Sequence, residues 1–203
     1  VDTSLQAAPD TGWTAKGGGT ASIAAGVASF ANNNGTVNAR LHRTLPLCSP
    51  HAPMLEAMCR CTLVTPNGSM QQGIGITNAD FTRGAYVIID GAYYNVSGSW
   101  TAGAYANSGG TTAWTAGTVW TRLVFGPTHV HFYYGIAAGP TPPTTWTRID
   151  SFAIGSTSAP DFRSTLGAGL TDLVVFTTRA GGVSPDSCTA QNIQWRSLLG
   201  APA

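Results

Sequence analysis

Two histidines, His129 and His131, stand two positions apart in the segment THVHFYY, and Glu56 is the only glutamate in the chain. In an extended strand, residues at i and i+2 project to one side, so the two imidazoles could share a metal ion. The pair is an incomplete ligand set. A third ligand would have to come from Asp150 or His42, and the alternatives are polar residues on a solvated sheet face or histidines hydrogen-bonded in a groove. Glu56 raises a different chemistry. Glycoside hydrolysis ordinarily uses two carboxyl groups flanking one bond. Here Glu56 would need a partner among Asp80, Asp90 and Asp150, and Asp90 is better explained by its turn, Asp90-Gly91. Within the strand-like run MLEAMCR, Glu56 falls on the face opposite Leu55, Ala57 and Cys59. It is therefore expected as a surface or groove carboxylate near Arg60. No catalytic residue is assigned on this reading.

Other reactive patterns are missing from the sequence. There is no GxSxG elbow, no CxxC pair and no Asp-rich calcium loop. The stretch AKGGGTAS is rich in glycine but lacks a following helix to receive a phosphate. No cofactor is expected. Four cysteines occur, and Cys59 and Cys61 share the apolar face of their strand. Buried thiols are one reading; disulfides, Cys48 with Cys59 or Cys61 with Cys188, are the other.

Aromatic residues offer a binding chemistry instead. Trp100 and Trp114 bracket TAGAYANSGGTTA, which also holds Tyr105 and Asn107. A ring can stack on the apolar face of a sugar while an amide fixes its hydroxyls. Trp100, Tyr105, Asn107 and Trp114 are the expected ligand site, the alternative being rings that pin a long loop to the fold. Trp13, Trp120, Trp146 and Trp195 lie in strand-like patterns and are expected to pack internally.

The elements that position these residues are strands. Asn34-Gly35, Asn67-Gly68 and Asp90-Gly91 read as type I′ hairpin turns, with positive φ, between β-prone runs. In TVWTRLVF, Val119, Thr121, Leu123 and Phe125 share one face, and Trp120, Arg122 and Val124 the other. In THVHFYY, Val130, Phe132 and Tyr134 alternate with His129, His131 and Tyr133. Helical periodicity is absent except for a short turn near Ser158 to Thr165. An all-β sandwich covering residues 1–203 as one domain is the expected architecture.

Composition bounds the partners. Charged residues are only 9% of the 203 positions and the net charge is +1, so no basic footprint for nucleic acid and no basic run for an anionic membrane exists. No apolar run is long enough to span a bilayer as a helix. The first residues, VDTSLQAAPDTGW, show no signal-peptide pattern and no initiator Met, which fits a mature product, a trimmed one or an excerpt. A hydroxyl- and glycine-rich surface suits an extracellular or virion location.

Three segments carry a family resemblance. GWTAKGGGTASIAAGVASF resembles the first hairpin of the concanavalin A-like lectin/glucanase (laminin-G-like) superfamily, WTRLVFGPTHVHFYYG a later hairpin, and NIQWRSLLG the closing strand that returns beside the first. The resemblance implies a two-sheet antiparallel jelly roll. Such folds bind glycans, bind proteins, cleave polysaccharides or decorate viral particles. With one glutamate and sparse charge, the expectation is a non-catalytic lectin-like module such as a bacteriophage decoration, spike or tail-associated protein, with a glycan or cell-surface ligand and other virion proteins as partners. The Glu-x-Asp-x-x-Glu strand of glucan-cleaving relatives is impossible with one glutamate. A secreted carbohydrate-active enzyme with an aspartate- or metal-based site and a purely structural capsid or adhesion protein are the alternatives.

Overall fold

The computed structural model describes residues 5–7, 10–32, 39–46, 49, 51–63, 70–90, 93–101, 104–107, 112–113, 118–156, 162–179 and 186–199. Its strands, in chain order, begin with β1 (Gln6–Ala7), β2 (Thr14–Gly17), β3 (Thr20–Ala24), β4 (Val27–Asn32), β5 (Ala39–Thr44), β6 (Leu55–Leu63), β7 (Met70–Thr77) and β8 (Arg83–Asp90). They continue with β9 (Tyr93–Thr101), β10 (Ala104–Asn107), β11 (Thr112–Ala113), β12 (Thr118–Phe125), β13 (His129–Gly135), β14 (Thr147–Ala153), β15 (Asp172–Arg179) and β16 (Asp186–Ser197). One short helix, α1 (Phe162–Gly167), precedes β15.

Two antiparallel sheets of eight strands result. The first runs β14-β13-β12-β6-β16-β4-β3 with β1 beside β16, and the second runs β10-β9-β8-β7-β15-β5-β2 with β11 beside β9. This is the two-sheet jelly-roll sandwich that the resemblance implies. Ala57, Cys59, Leu123, Phe125 and Phe132 of the first sheet share one core with Leu41, Ile74, Ile76, Val87 and Val175 of the second. Each of the valine, leucine, isoleucine and phenylalanine side chains among them contributes about 1.5–3 kcal/mol on leaving water.

Alternation set these faces as expected in β12 and β13: Val119, Thr121, Leu123, Phe125, Val130 and Phe132 are all fully buried. Trp120 is fully buried too, although it faces away from the core. It lies opposite Gly135 in the β12–β13 register. A Cβ on Gly135 would come within 2.4 Å of Pro143 Cγ, so the β13–β14 connection packs onto this outer face. Arg60 donates to the Ala138 carbonyl of the same connection at 3.0 Å.

The turn signals divide into two kinds. Asp90-Gly91 joins β8 to β9, which pair as a hairpin. Asn34-Gly35 and Asn67-Gly68 instead join strands of different sheets, β4 to β5 and β6 to β7. Their own residues lie outside the described ones, but the pairings on either side correct the hairpin expectation. A turn dipeptide encodes positive φ; which edge the next strand joins is decided by the core. The opening segment is corrected likewise. β2 belongs to the second sheet, and the hairpin is β3–β4, turned by Ala25 and Gly26 at φ 50° and 75°. The helix overlaps the C-terminal part of the expected turn, whose first residues lie outside the described ones. Its Phe162 ring stacks on Phe152 at 5.8 Å, closing one end of the core.

Cys59, Cys61 and Cys188 are buried thiols, with Cys59 Sγ 3.4 Å from Cys61 Sγ. The disulfide reading is thereby corrected, while Cys48 lies outside the described residues. Hydrogen bonding to Cys59, with burial, pushes the Cys61 thiol well above its ordinary range, so it is inert as a nucleophile.

Candidate functional site

Glu56 points away from the core, as alternation requires, but it is not a surface carboxylate: it is 2% exposed. β12 and β16 flank β6, and Arg122 and Arg196 close over the carboxylate from either side. Arg122 Nε donates to Oε1 at 2.5 Å, and Arg196 donates to Oε2 at 2.6 Å. Arg60, the expected neighbour, instead donates to the Gln191 side chain. Arg122 is also stacked between Tyr133 and Trp146, 5.1 and 5.3 Å from their ring centroids. Trp146 therefore packs as a cover on this face and not within a strand.

A bulge places Arg196. Between Gln191 and Gln194 β16 carries one extra residue against β6, with Asn192 at φ 51°. Cys188 and Ala190 face the core before the bulge, Ile193 and Trp195 after it. Strict alternation from Ala190 would have put Arg196 inside and Trp195 out.

His129 and His131 project together, as expected, and their rings stack at 5.8 Å. Their hydrogen bonds go to hydroxyls: His131 Nδ1 to Ser151 Oγ at 2.8 Å and His129 Nδ1 to Thr128 Oγ1 at 3.0 Å. Burial, then the neighbouring His129 and Arg148, lower the His131 pKa. Neither expected third ligand joins them. Asp150 lies opposite Phe132 at a bulge, its Oδ1 accepting the Ser151 N–H at 2.8 Å. His42 belongs to the second sheet. No cluster of three metal-type ligands occurs among the described residues.

The expected aromatic site falls at the far edge of the second sheet. The backbone register sets Trp100 opposite Tyr105 and Asn107 opposite Ser97, and β11 pairs with Tyr93 and Tyr94 further along the same strand. Trp114 lies outside the described residues.

At the opposite edge of that sheet is a site the sequence did not announce. β2, β5 and β15 lie side by side, aligning Thr44 with Asp172 and Thr14 with His42 and Val174. His42 and Asp172 are both buried, with Nδ1 3.4 Å from Oδ2. Thr44 and Thr171 each donate a hydroxyl to Asp172 Oδ1 at 3.1 Å. The His42 hydrogen bond, with those from the threonines, holds the Asp172 carboxyl below its ordinary range. Burial holds His42 below its ordinary value against the pull of Asp172, and Lys16 and Arg40 add to the lowering. At neutral pH the pair is thus a carboxylate and a neutral imidazole. Because a carboxylate only accepts, Nδ1 carries the proton and Nε2 is an acceptor. That Nε2 is buried without a hydrogen-bond partner. A cavity of ≈ 210 Å³ opens here, lined by Lys16, Arg43, Thr44, His42 and Asp172 among others.

The loop after β7 shapes this edge. Asn78 Oδ1 accepts the N–H groups of Thr82 and Arg83 at 2.9 and 3.0 Å, and Phe81 sits at φ 57°. The Phe81 ring is thereby laid against His42 at 5.1 Å and beneath the Arg40 guanidinium at 3.9 Å. Lys16 Nζ donates to the Ala79 carbonyl at 3.1 Å. The only sequence signal for the site was the alternation of Arg40, His42 and Thr44 on one face of β5. Asp172 is 130 residues from His42, and no motif links them.

No family model matches the chain, and no curated protein matches it. Solved structures do. The carbohydrate-binding module CBM66 from Bacillus subtilis is similar at TM-score 0.60 and 10% identity, over 92% of this chain and 96% of that one. The exoplasmic/lumenal domain of VIP36, in its Ca2+/Man3GlcNAc-bound form, is similar at TM-score 0.60 and 8% identity, over 98% and 90%. The CBM2 module of the evolved Dit of Lactobacillus casei BL23 phage J-1 is similar at TM-score 0.59 and 10% identity, over 96% of each chain. At such identities the likeness shows the fold alone: a concanavalin A-like jelly roll.

Proposed function

We propose that this chain is a non-catalytic glycan-binding module displayed outside the cell or on a virus particle. The observation that carries the non-catalytic part is the state of Glu56: both its oxygens are committed to arginines within a sheet face, and it is 2% exposed. A glycosidase acid or base must reach substrate and exchange protons with it. Two of the similar structures are carbohydrate-binding modules and one is solved with Man3GlcNAc, which supports a glycan as ligand.

The ligand platform in this reading is the β9–β11 edge, with Trp100, Tyr105, Asn107 and Trp114 supplying stacking surface and an amide. The module from a phage Dit protein and the sparse charge of this chain favour the particle setting over a free secreted one. A glycan array tests binding, with Trp100→Ala and Trp114→Ala expected to weaken the best hit at least tenfold. A blank array would remove the lectin reading and leave a structural capsid or adhesion role. New reducing or unsaturated ends from incubated polysaccharides would overturn the non-catalytic part. Co-purification with phage particles tests the setting.

A further inference from the structure

We propose that the cavity between Lys16, Arg43 and the His42–Asp172 pair binds the carboxylate of a terminal acidic sugar. The inference deepens the glycan-binding reading and rests on it, at a site separate from the aromatic edge. Charge gives the ligand's sign. Lys16 and the Arg40 guanidinium both act electrostatically on His42, Arg43 lines the cavity, and one carboxylate, Asp172, opposes them, so the site is net positive. A sugar carboxylate meets that excess with the opposite sign.

The donor arrangement agrees. Lys16 spends one ammonium proton on the Ala79 carbonyl and keeps two. Arg43 is held in place by the Thr11 carbonyl, and Gly12, at φ 82°, makes room for it: a Cβ there would stand 3.1 Å from Arg43 Nη1. Asp172 and Thr44 line the wall between them, with the oxygen chemistry that sugar hydroxyls pair with. Asp172 takes the two threonine hydroxyls and the imidazole, so it is fixed as an acceptor and does not swing to cancel the lysine. The buried Nε2 of His42 has no partner, which leaves one acceptor unused at the base of this edge. Size gives the ligand's extent. At ≈ 210 Å³ the cavity is smaller than the roughly 300 Å³ at which drug-sized pockets begin, so it fits one ring at a chain end and not an internal stretch.

The test is a titration of the full chain followed by the His42 imidazole resonances. Methyl glucuronide should move them saturably and methyl glucoside should not. Lys16→Met should weaken the glucuronide effect at least tenfold, and Lys16→Arg should restore it, a rescue that a misfolded variant could not show. Unmoved His42 resonances with glucuronide, or wild-type binding by Lys16→Met, would overturn the assignment. Equal binding of acetate would overturn the sugar part by assigning the site to any carboxylate, and tighter binding of sulfate would overturn the carboxylate assignment. A blank glycan array would count against the lectin reading alone, because the imidazole signal reports on this cavity directly.

Discussion

Glu56 and Asp172 are both buried carboxylates on the outer faces of their sheets, and they are neutralised in opposite ways. Glu56 is clamped by two arginines, which cannot lose their charge in the working pH range. Asp172 is held by two hydroxyls and a neutral imidazole beside a cavity. The first arrangement puts both cations in direct contact with the carboxylate and joins three neighbouring strands. The second has Lys16 and Arg43 bonded to the Ala79 and Thr11 carbonyls and lining the cavity that Asp172 also lines, where a ligand can meet them. Burial of a carboxylate therefore does not itself mark a functional site; what matters is whether its counter-charges are already spent on it.

The sharpest way to break the contrast is to remove the device that delivers Arg196. Asn192→Pro fixes φ at roughly −65°, which excludes the left-handed residue of the bulge, and a β16 that paired without it would alternate strictly from Ala190, turning Arg196 inward and Trp195 outward. Loss of the cooperative thermal transition is expected, and a variant that still melts cooperatively would disprove this role for the bulge. Next in size, Glu56→Gln leaves two arginines facing a neutral amide. It should cost about 3 kcal/mol, the low end for breaking a buried ion pair because both arginines reach solvent. Asp172→Asn keeps the shape and should cost about 1–2 kcal/mol, the range for a strained or unmatched buried hydrogen bond. Urea denaturation of the two variants side by side checks the ordering, and the reverse ranking would sink the comparison.

The smaller effects concern pH and one methyl group. The folded state holds His42 below its ordinary value of 6.5, so the unfolded chain binds the proton first. Stability on its account is intact above about pH 6.5 and is lost as pH falls from there toward the lowered value. Asp172, also lowered, adds a loss of the same sign only further down, below its ordinary 3.8. Replacing His42 by Gln should flatten the first part of the profile and shrink the second, since the His42 hydrogen bond is the largest cause of the Asp172 lowering, and melting temperatures across the range would show both. Thr44→Val removes one of two hydroxyls from Asp172 and should cost about 1 kcal/mol, the least of the set.

Period-2 alternation made much of the fold legible. It correctly assigned the faces of β12 and β13, the outward pair His129 and His131, and the direction of Glu56, because each depends only on which way successive side chains point. The closing strand does lie beside the first, Gln6 pairing with Trp195. What alternation could not supply was the identity of the neighbouring strand. Glu56 is buried because β12 and β16, 66 and 140 residues onward, bring arginines to it. His42 meets Asp172 for the same reason. The two inter-sheet crossings were misread as hairpins because a dipeptide reports local φ and carries nothing about the destination of the next strand. The bulge at Asn192 was invisible, since a single left-handed Asn leaves no pattern in its neighbours.

The place of β16 in the first sheet also governs how the chain can be made. It inserts between β6 and β4, so the last of the described strands in chain order separates two strands synthesised far earlier. Until it arrives, β6 and β4 each present an unpaired edge, the feature that templates aggregation. Such distant pairings also slow folding, because long loops must close before any contact rewards them. A chain cut short before Asp186 would not be a smaller version of this sandwich; it would be half a sheet with two open edges, a substrate for chaperones and proteases.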